Sequence, residues 1–571
     1  MKTHLTPTLR YGAIALAGLC HCIALARQPS PAISCRVEPE RSVLTANVQE
    51  NITVKVSLTG AARDVAKERA PVNVSLVIDR SGSMHGERIA QAKAAAIYAV
   101  EQLSPEDIIS IVIFDDRIET LVPAQHVTNK RDIVAKINGI TARGSTAIFG
   151  GVSQGAAEIR KNLDRDYINR IVLLSDGQAN VGPATPADLG RLGVALMKEK
   201  ISVSTIGVGL GYNEDLMTRL AGQSDGNSYF AENDDDLPRI FQRELGDILS
   251  VAATAVRIKV NFPEGVVPVE IIGREGFIDG SVVSLNFNQI YGKQEKYVLI
   301  RSIFAPGKDG STRIAANAEI EYYDTFLNKS QITTAAGSVR FSEDKGAVAK
   351  SVNKEVIREV EMNITAIETT RAIQLADEGK RNEAAAIMAG RADRLRRVAA
   401  DYDMRDLAIE AKAQADTGAK LKEAPMAPAA RKAMTIHSYA IQNQQASSAS
   451  SRDTLKVQND RTELKTVTVK TMTHRPRSSS YVVSGQVQYQ GVKGEAYLEM
   501  WTVMPDGSRY FSRTLEKSGT MQKIQGTSKW RNFELPFNLM DAKPDSVTLE
   551  INVVMPDKGT IEISSVTVSD K

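Results

Sequence analysis

Residues 74–83 read Val74-Ser-Leu-Val-Ile-Asp79-Arg80-Ser81-Gly82-Ser83, an apolar run that stops at a carboxylate and is followed by two hydroxyls. The next stretch, Gly86–Leu103, has the apolar spacing of an amphipathic helix. One carboxylate and two hydroxyls held on a strand-to-helix turn make most of a hard-cation site. Oxygen-only ligands suit Mg²⁺, Mn²⁺ or Ca²⁺ and not zinc. Taken singly, Ser81 reads as a helix cap and Asp176 as a turn former. As a set they read differently, because Thr146 stands in Arg143-Gly-Ser-Thr146 and Asp176 in Leu173-Leu-Ser-Asp-Gly177, at the close of another apolar strand.

Working outward, apolar strands at 72–78, 108–114, 169–175 and 201–208 alternate with amphipathic helices near 86–103, 130–138, 149–161, 187–199, 213–221 and 235–250. Continuous apolar strands separated by helices predict a parallel sheet covered on both faces, a doubly wound α/β domain over 72–250. In such sheets ligands sit beyond the carboxyl ends of the strands, where Asp79 and Asp176 both fall. Residues 36–70 and 251–342 show short alternating strands, and 35 residues alone bury too little apolar surface to stand as a sheet. The two stretches are therefore expected to form one β-sandwich into which the α/β domain is inserted. Residues 345–422 read as helical throughout, 423–463 as a flexible Pro-, Ala-, Ser- and Gln-rich linker, and 464–571 as a C-terminal β-sandwich.

The composition, 42% hydrophobic and 24% charged over 571 residues with a formal charge of +3, describes a multidomain globular chain and gives no nucleic-acid or membrane-surface footprint. Residues 1–26 have the form of a secretory signal: Lys2 and Arg10, the apolar run Tyr11–Leu25, and Ala24-Leu25-Ala26 as a cleavage site. That run is shorter than the ~20 residues a bilayer requires, and no later segment is apolar enough to span. The expected mature chain is periplasmic or secreted with no transmembrane segment. Cys20 and Cys22 fall in the signal, leaving Cys35 without an internal disulfide partner.

With Asp79, Ser81, Ser83, Thr146 and Asp176 in this order, the middle domain resembles the von Willebrand factor type A family. The motifs Val77-Ile-Asp-Arg-Ser-Gly-Ser-Met84, Gly144-Ser-Thr146, Leu173-Leu-Ser-Asp-Gly177 and Thr205-Ile-Gly-Val-Gly209 carry the likeness. The flanking sandwich and helices resemble, more loosely, bacterial exported relatives of inter-alpha-trypsin-inhibitor heavy chains. The resemblance implies a metal-ion-dependent adhesion site. Ser81, Ser83 and Thr146 would be direct hydroxyl ligands of Mg²⁺ (or Mn²⁺ or Ca²⁺), and Asp79 and Asp176 would act mainly through waters. A cation ringed by neutral oxygens stays electrophilic and leaves a position for a carboxylate of a protein partner. The terminal segment resembles galactose-binding-like jelly rolls. Tyr497, Trp501, Tyr510, Phe511 and Trp530 are available to stack on carbohydrate, although filling alternate strand positions predicts most of them in the core.

The implied function is an exported adhesion or scaffold protein. The alternative is an assembly or chaperone-like subunit acting with a separate ATPase, since the chain holds no phosphate-binding G-x-x-x-x-G-K-[ST] loop of its own. No enzymatic activity is expected. His85, His126, His437 and His474 sit in no H-E-x-x-H motif. His85 lies beside the site, and Glu214 and Asp215 on a later loop. The last helix of the α/β domain is expected, by analogy, to couple cation binding to affinity.

Overall fold

The structure is a computed structural model that describes residues 31–570 apart from 62–68, 164–166, 177, 178, 233–235, 446–454, 475, 477, 540–543 and 545. The expected export segment 1–26, with Cys20 and Cys22, lies outside the described residues. Strands β1 (Ile33–Pro39), β2 (Val43–Thr45) and β3 (Glu50–Gly60) come first.

The α/β region follows as β4 (Val72–Asp79), α1 (Glu87–Gln102), β5 (Ile108–Phe114), β6 (Ile118–His126), α2 (Lys130–Asn138), α3 (Ile148–Arg160), β7 (Ile168–Ser175), α4 (Pro186–Lys198), β8 (Ser202–Val208), α5 (Glu214–Gln223), β9 (Ser228–Ala231) and α6 (Leu237–Leu249). The sheet order is β6-β5-β4-β7-β8-β9. All eight residues of β4 are buried because both faces are covered. Val74, Leu76 and Ile78 pack with α1, α2 and α6 on one side. Val77, on the other side, packs with α3, α4 and α5. The chain winds one way from β4 to β5 and the other way to β7, so the carboxyl end of β4 is the topological switch point. The expected all-parallel sheet needs one correction: β6 pairs antiparallel to β5. It is a half-exposed edge strand in which only Val122 is fully buried, and its Pro123 is tolerated because an edge leaves one row of N–H groups unpaired.

The next strands are β10 (Val251–Asn261), β11 (Val266–Ile272), β12 (Phe277–Asp279), β13 (Val282–Tyr291), β14 (Glu295–Phe304), β15 (Thr312–Asp324) and β16 (Lys329–Ser342). β1 and β3 share a four-stranded sheet with β14 and β11, and β2 closes a six-stranded sheet with the other five. One core, including Val54, Val56, Ile258, Phe287, Ile300 and Phe341, lies between them. The chain leaves at Gly60 and returns at Val251, which pairs with Tyr291, and a Cβ on Gly60 would lie 2.1 Å from the Tyr291 carbonyl oxygen. The amino-terminal end of the α/β sheet is fastened to β13 by the fully buried Arg170. Its guanidinium donates to Ser204 Oγ at 2.9 Å, Gln289 Oε1 at 2.7 Å and Tyr291 Oη at 2.5 Å. The opposite, carboxyl end is left for a site.

Helices α7 (Lys345–Lys350), α8 (Lys354–Asp377), α9 (Arg381–Tyr402), α10 (Arg405–Glu423) and α11 (Pro428–Gln442) come next. Among the described residues no helix is long and apolar enough to cross a membrane. The expected linker 423–463 is corrected by α11, a helix of 15 residues opened by Pro428. It holds together through tertiary contacts that composition does not show. Lys432 Nζ donates to the Tyr212 carbonyl at 2.6 Å and pairs with Glu214, while Arg431 pairs with Glu214, Asp215 and Asp377. Beyond the helix, the Gln445 side chain exchanges two hydrogen bonds with the backbone of Ser228, at 3.0 and 3.1 Å.

The last strands are β17 (Leu455–Asn459), β18 (Lys465–His474), β19 (Ser480–Val503), β20 (Arg509–Arg513), β21 (Ile524–Asn538), β22 (Val547–Met555) and β23 (Gly559–Asp570), all paired antiparallel. Within the expected C-terminal β-sandwich, β19 is one long strand of 24 residues. Its first half pairs with β21 and β23 and its second with β20 and β22, with register shifts between Val487 and Ala496. The aromatics expected in this core are not there. Ala496, Leu498 and Met500 fill it, while Tyr510 and Phe511 are exposed and Tyr497, Trp501 and Trp530 only half-buried. Arg509 lies over Trp501 and Arg513 over Phe511, 5.1 and 4.2 Å from the ring centroids.

Candidate metal centre

β4 ends at Asp79, whose carboxylate is completely enclosed. Its two oxygens are held separately: Ser81 N–H donates to Oδ1 at 2.7 Å, and Ser175 Oγ donates to Oδ2 at 2.5 Å. Burial pushes the carboxyl up to about 6, and the nearby Asp176 charge adds to the rise while the Ser175 and Ser81 hydrogen bonds oppose it. After Ser81 the chain makes one 3₁₀ turn, Gly82–Met84, with Met84 buried beneath it. That turn brings Ser81 Oγ and Ser83 Oγ to 3.1 Å and lets Ser83 Oγ donate to Asp176 Oδ1 at 2.7 Å. Four of the five expected residues thus form one connected chain of oxygens at the switch point, running Asp79–Ser81–Ser83–Asp176.

Thr146 arrives on a loop stitched to the same turn. Arg143 N–H donates to the Arg80 carbonyl at 2.6 Å, and Gly82 N–H donates to the Gly144 carbonyl at 3.0 Å. Thr146 is buried, its N–H donates to Asn180 Oδ1 at 2.8 Å, and its carbonyl accepts from the N–H groups of Asn180 and Val181. The loop therefore bridges the turn after β4 and the segment beyond Asp176. Three hydroxyls and two carboxylates, with no sulfur or nitrogen donor, suit a hard divalent cation. Asp79, with both oxygens already engaged, suits an outer position better than a direct one.

Sequence reading missed three contributors. Ser175, one residue before Asp176, orients Asp79. Arg88 donates from Nη1 to Asp176 Oδ2 at 2.5 Å. Asp115, just past the end of β5, accepts from Arg80 Nε at 3.0 Å, Arg143 Nε at 2.9 Å and Arg117 N–H at 2.6 Å, and so ties the two loops together. Burial opposes ionisation of Asp115, but the Arg117 and Arg143 hydrogen bonds and the Arg80 charge outweigh it and hold the carboxyl below its usual range. The rule that ligands gather at strand carboxyl ends points to Asp115; nothing in the sequence points to Arg88. His85 is exposed. Glu214 and Asp215 are not free to line the site, because Arg431 and Lys432 hold them. Among the described residues a second acidic group, Glu295, Glu355 and Glu359, already surrounds an internal cation, with Lys55 Nζ 2.8 Å from Glu359, 3.1 Å from Glu295 and 3.3 Å from Glu355.

Comparison with known proteins places a family over the α/β region. The family model described as von Willebrand factor type A domain matches residues 73–243. A Synechocystis sp. protein, sll0103, is 30% identical over 194 residues, which is 34% of this chain and 46% of that one. Inter-alpha-trypsin inhibitor heavy chain H3 of Pongo abelii is 25% identical over 206 residues, 34% of this chain and 23% of that one. The chain thus spans less than half the length of these curated relatives. A solved von Willebrand factor type A structure from Catenulispora acidiphila aligns with a TM-score of 0.56 at 17% identity, covering 72% of this chain and 96% of that one. That likeness concerns the fold.

Proposed function

We propose, from the premise that the chain carries a von Willebrand factor type A domain, that this domain is a cation-dependent protein-binding module whose bound ion captures a carboxylate of a partner. Domains of this kind often use a metal-ion-dependent adhesion site for protein binding. The observation that carries the reading is the connected set Asp79, Ser81, Ser83 and Asp176 at the switch point, with the Thr146 loop stitched beside it. When bound, the ion supplies an electrophilic position for an anionic oxygen. Ser81, Ser83 and Thr146 would hold it directly, and Asp79 and Asp176 would orient those hydroxyls and balance charge. In this reading the protein is exported to the periplasm or beyond and acts by binding and not by catalysis. The strands of 33–60 and 251–342 form the frame that presents the site, and the C-terminal sheets a further module. Arg509 and Arg513 occupy the faces of Trp501 and Phe511, so no carbohydrate is assigned to them.

The test is retention of an envelope protein by immobilised full-length chain in Mg²⁺, set against the same column in EDTA. Asp79→Ala and the milder Ser83→Ala are the comparison variants. Capture lost in EDTA and in both folded variants is the expected result. Capture that persists through chelation and in both variants overturns the metal-bridge reading.

A further inference from the structure

Arg88 is the second residue of α1, where a positive charge faces the positive end of the helix dipole. Local propensity disfavours it there, so its placement has another cause. Its Nη1 donates to Asp176 Oδ2 at 2.5 Å and to the Ser83 carbonyl at 3.3 Å, so it touches both an acidic and a hydroxyl member of the site. The Asp176 side chain is fully enclosed while Arg88 is about one-third exposed, at 34%. The guanidinium lies under the backbone of Gly209, where φ is +66° and a Cβ would come within 2.9 Å of Nη2. Arg88 is therefore fixed from three directions against one of the two site carboxylates, beneath a roof that only glycine fits.

The charge count gives this placement a consequence. Asp79 and Asp176 contribute two negative charges when ionised and Arg88 one positive. A divalent cation brings that set to a net +1, whereas without Arg88 it reaches only neutrality. The same guanidinium that opposes the incoming cation leaves the loaded site attractive to an anion.

We infer that Arg88 is a resident member of the cation site. It neutralises Asp176 when no ion is bound, weakens cation binding, and makes the loaded site select a carboxylate over a neutral oxygen ligand. The inference rests on the cation-site reading above and adds to it the residue that sets ligand charge.

Mn²⁺ titration of chelator-stripped, full-length protein, followed by electron paramagnetic resonance, tests both halves. Acetate and acetamide then serve as charged and neutral probes at saturating Mn²⁺. Arg88→Gln is expected to bind Mn²⁺ about tenfold more tightly and to lose most of the preference for acetate over acetamide. Arg88→Lys retains the charge and keeps that preference. Arg191→Gln, which removes an exposed ion pair to Asp188 on α4, behaves as wild type. Unchanged or weaker Mn²⁺ binding by folded Arg88→Gln, or an acetate preference that survives it, overturns the inference while leaving the cation site standing. A wild-type chain that takes up no Mn²⁺ overturns both.

Discussion

Two acidic clusters flank the segment between β8 and α5, and the chain treats them in opposite ways. On one side Gly211 backs onto the Asp176 carbonyl, where a Cβ would lie 3.0 Å from the oxygen. There Asp79 accepts from Ser81 N–H and the Ser175 hydroxyl, Asp176 accepts from the Ser83 hydroxyl, and one partly exposed guanidinium pairs with Asp176 alone. On the other side, Glu214 and Asp215 receive Arg431 and Lys432, with Lys432 Nζ also donating to the Tyr212 carbonyl. Both clusters bring carboxylates together, but only the first leaves acceptor capacity for a cation from solution. What separates a binding site from a structural clamp here is whether the fold supplies its own counter-charges. The Lys55 cluster follows the clamp pattern: Lys55 sits among Glu295, Glu355 and Glu359, with Arg36 pairing Glu295 and Arg358 pairing Glu359.

That contrast is best broken at the clamp. Lys432→Met leaves Glu214 buried beside a single cation and is expected to lower stability by about 3–5 kcal/mol, read from urea unfolding. A loss below about 1 kcal/mol would mean that the clamp does not hold α11 in place. At the cation site the corresponding quantity comes from added ion. Mg²⁺ at about a hundred times its Kd should stabilise the wild type by about 2.7 kcal/mol, and Asp79→Ala should show no gain in Tm with Mg²⁺. Gly209→Ala joins the two regions, because it forces a side chain into the left-handed backbone over Arg88. A loss of about 1–2 kcal/mol is expected, and thermal unfolding in EDTA would show it.

The smallest effect is one of pH. Burial works against ionisation of Glu214, but hydrogen bonds from Lys432 and Arg431 outweigh it and hold the carboxyl below its ordinary 4.5. A depressed folded-state value means that the clamp contributes fully above the unfolded value near 4.5 and is lost as pH falls through the lower folded one. Urea midpoints measured between about pH 6 and about pH 3 should therefore fall more steeply for wild type than for Lys432→Met. Parallel slopes would remove Glu214 from the account.

The strands that build the cation site were legible because burial on both faces makes β4, β5, β7 and β8 runs rich in Val, Ile and Leu. Asp79 and Asp176 follow directly from where those runs stop. The edge strand β6 was not legible, since a strand with one buried residue carries almost no pattern. α11 was hidden for a related reason. Lys432, Ser438 and Tyr439 are its buried residues, and ion pairs to acids far away in sequence leave no local periodicity. Arg88 belongs to the same class, because its partner lies in another motif. The C-terminal aromatics show a different limit. In the second half of β19 both parities carry apolar residues, and a one-residue choice of face puts Ala496, Leu498 and Met500 in the core and leaves Tyr497 and Trp501 half-buried on the other face.

The pairing of β3 with β14 has a temporal consequence. Thr59 is hydrogen-bonded in register opposite Glu295, and the whole α/β region is encoded between them. At about 5–20 residues per second, a ribosome needs on the order of tens of seconds to cover that interval. During that time β3, an almost wholly buried strand, has no β14 to pair with, while the α/β sheet can complete its own local contacts. The sheet that joins β3 to β14 therefore cannot be completed until the α/β region encoded between them has been made.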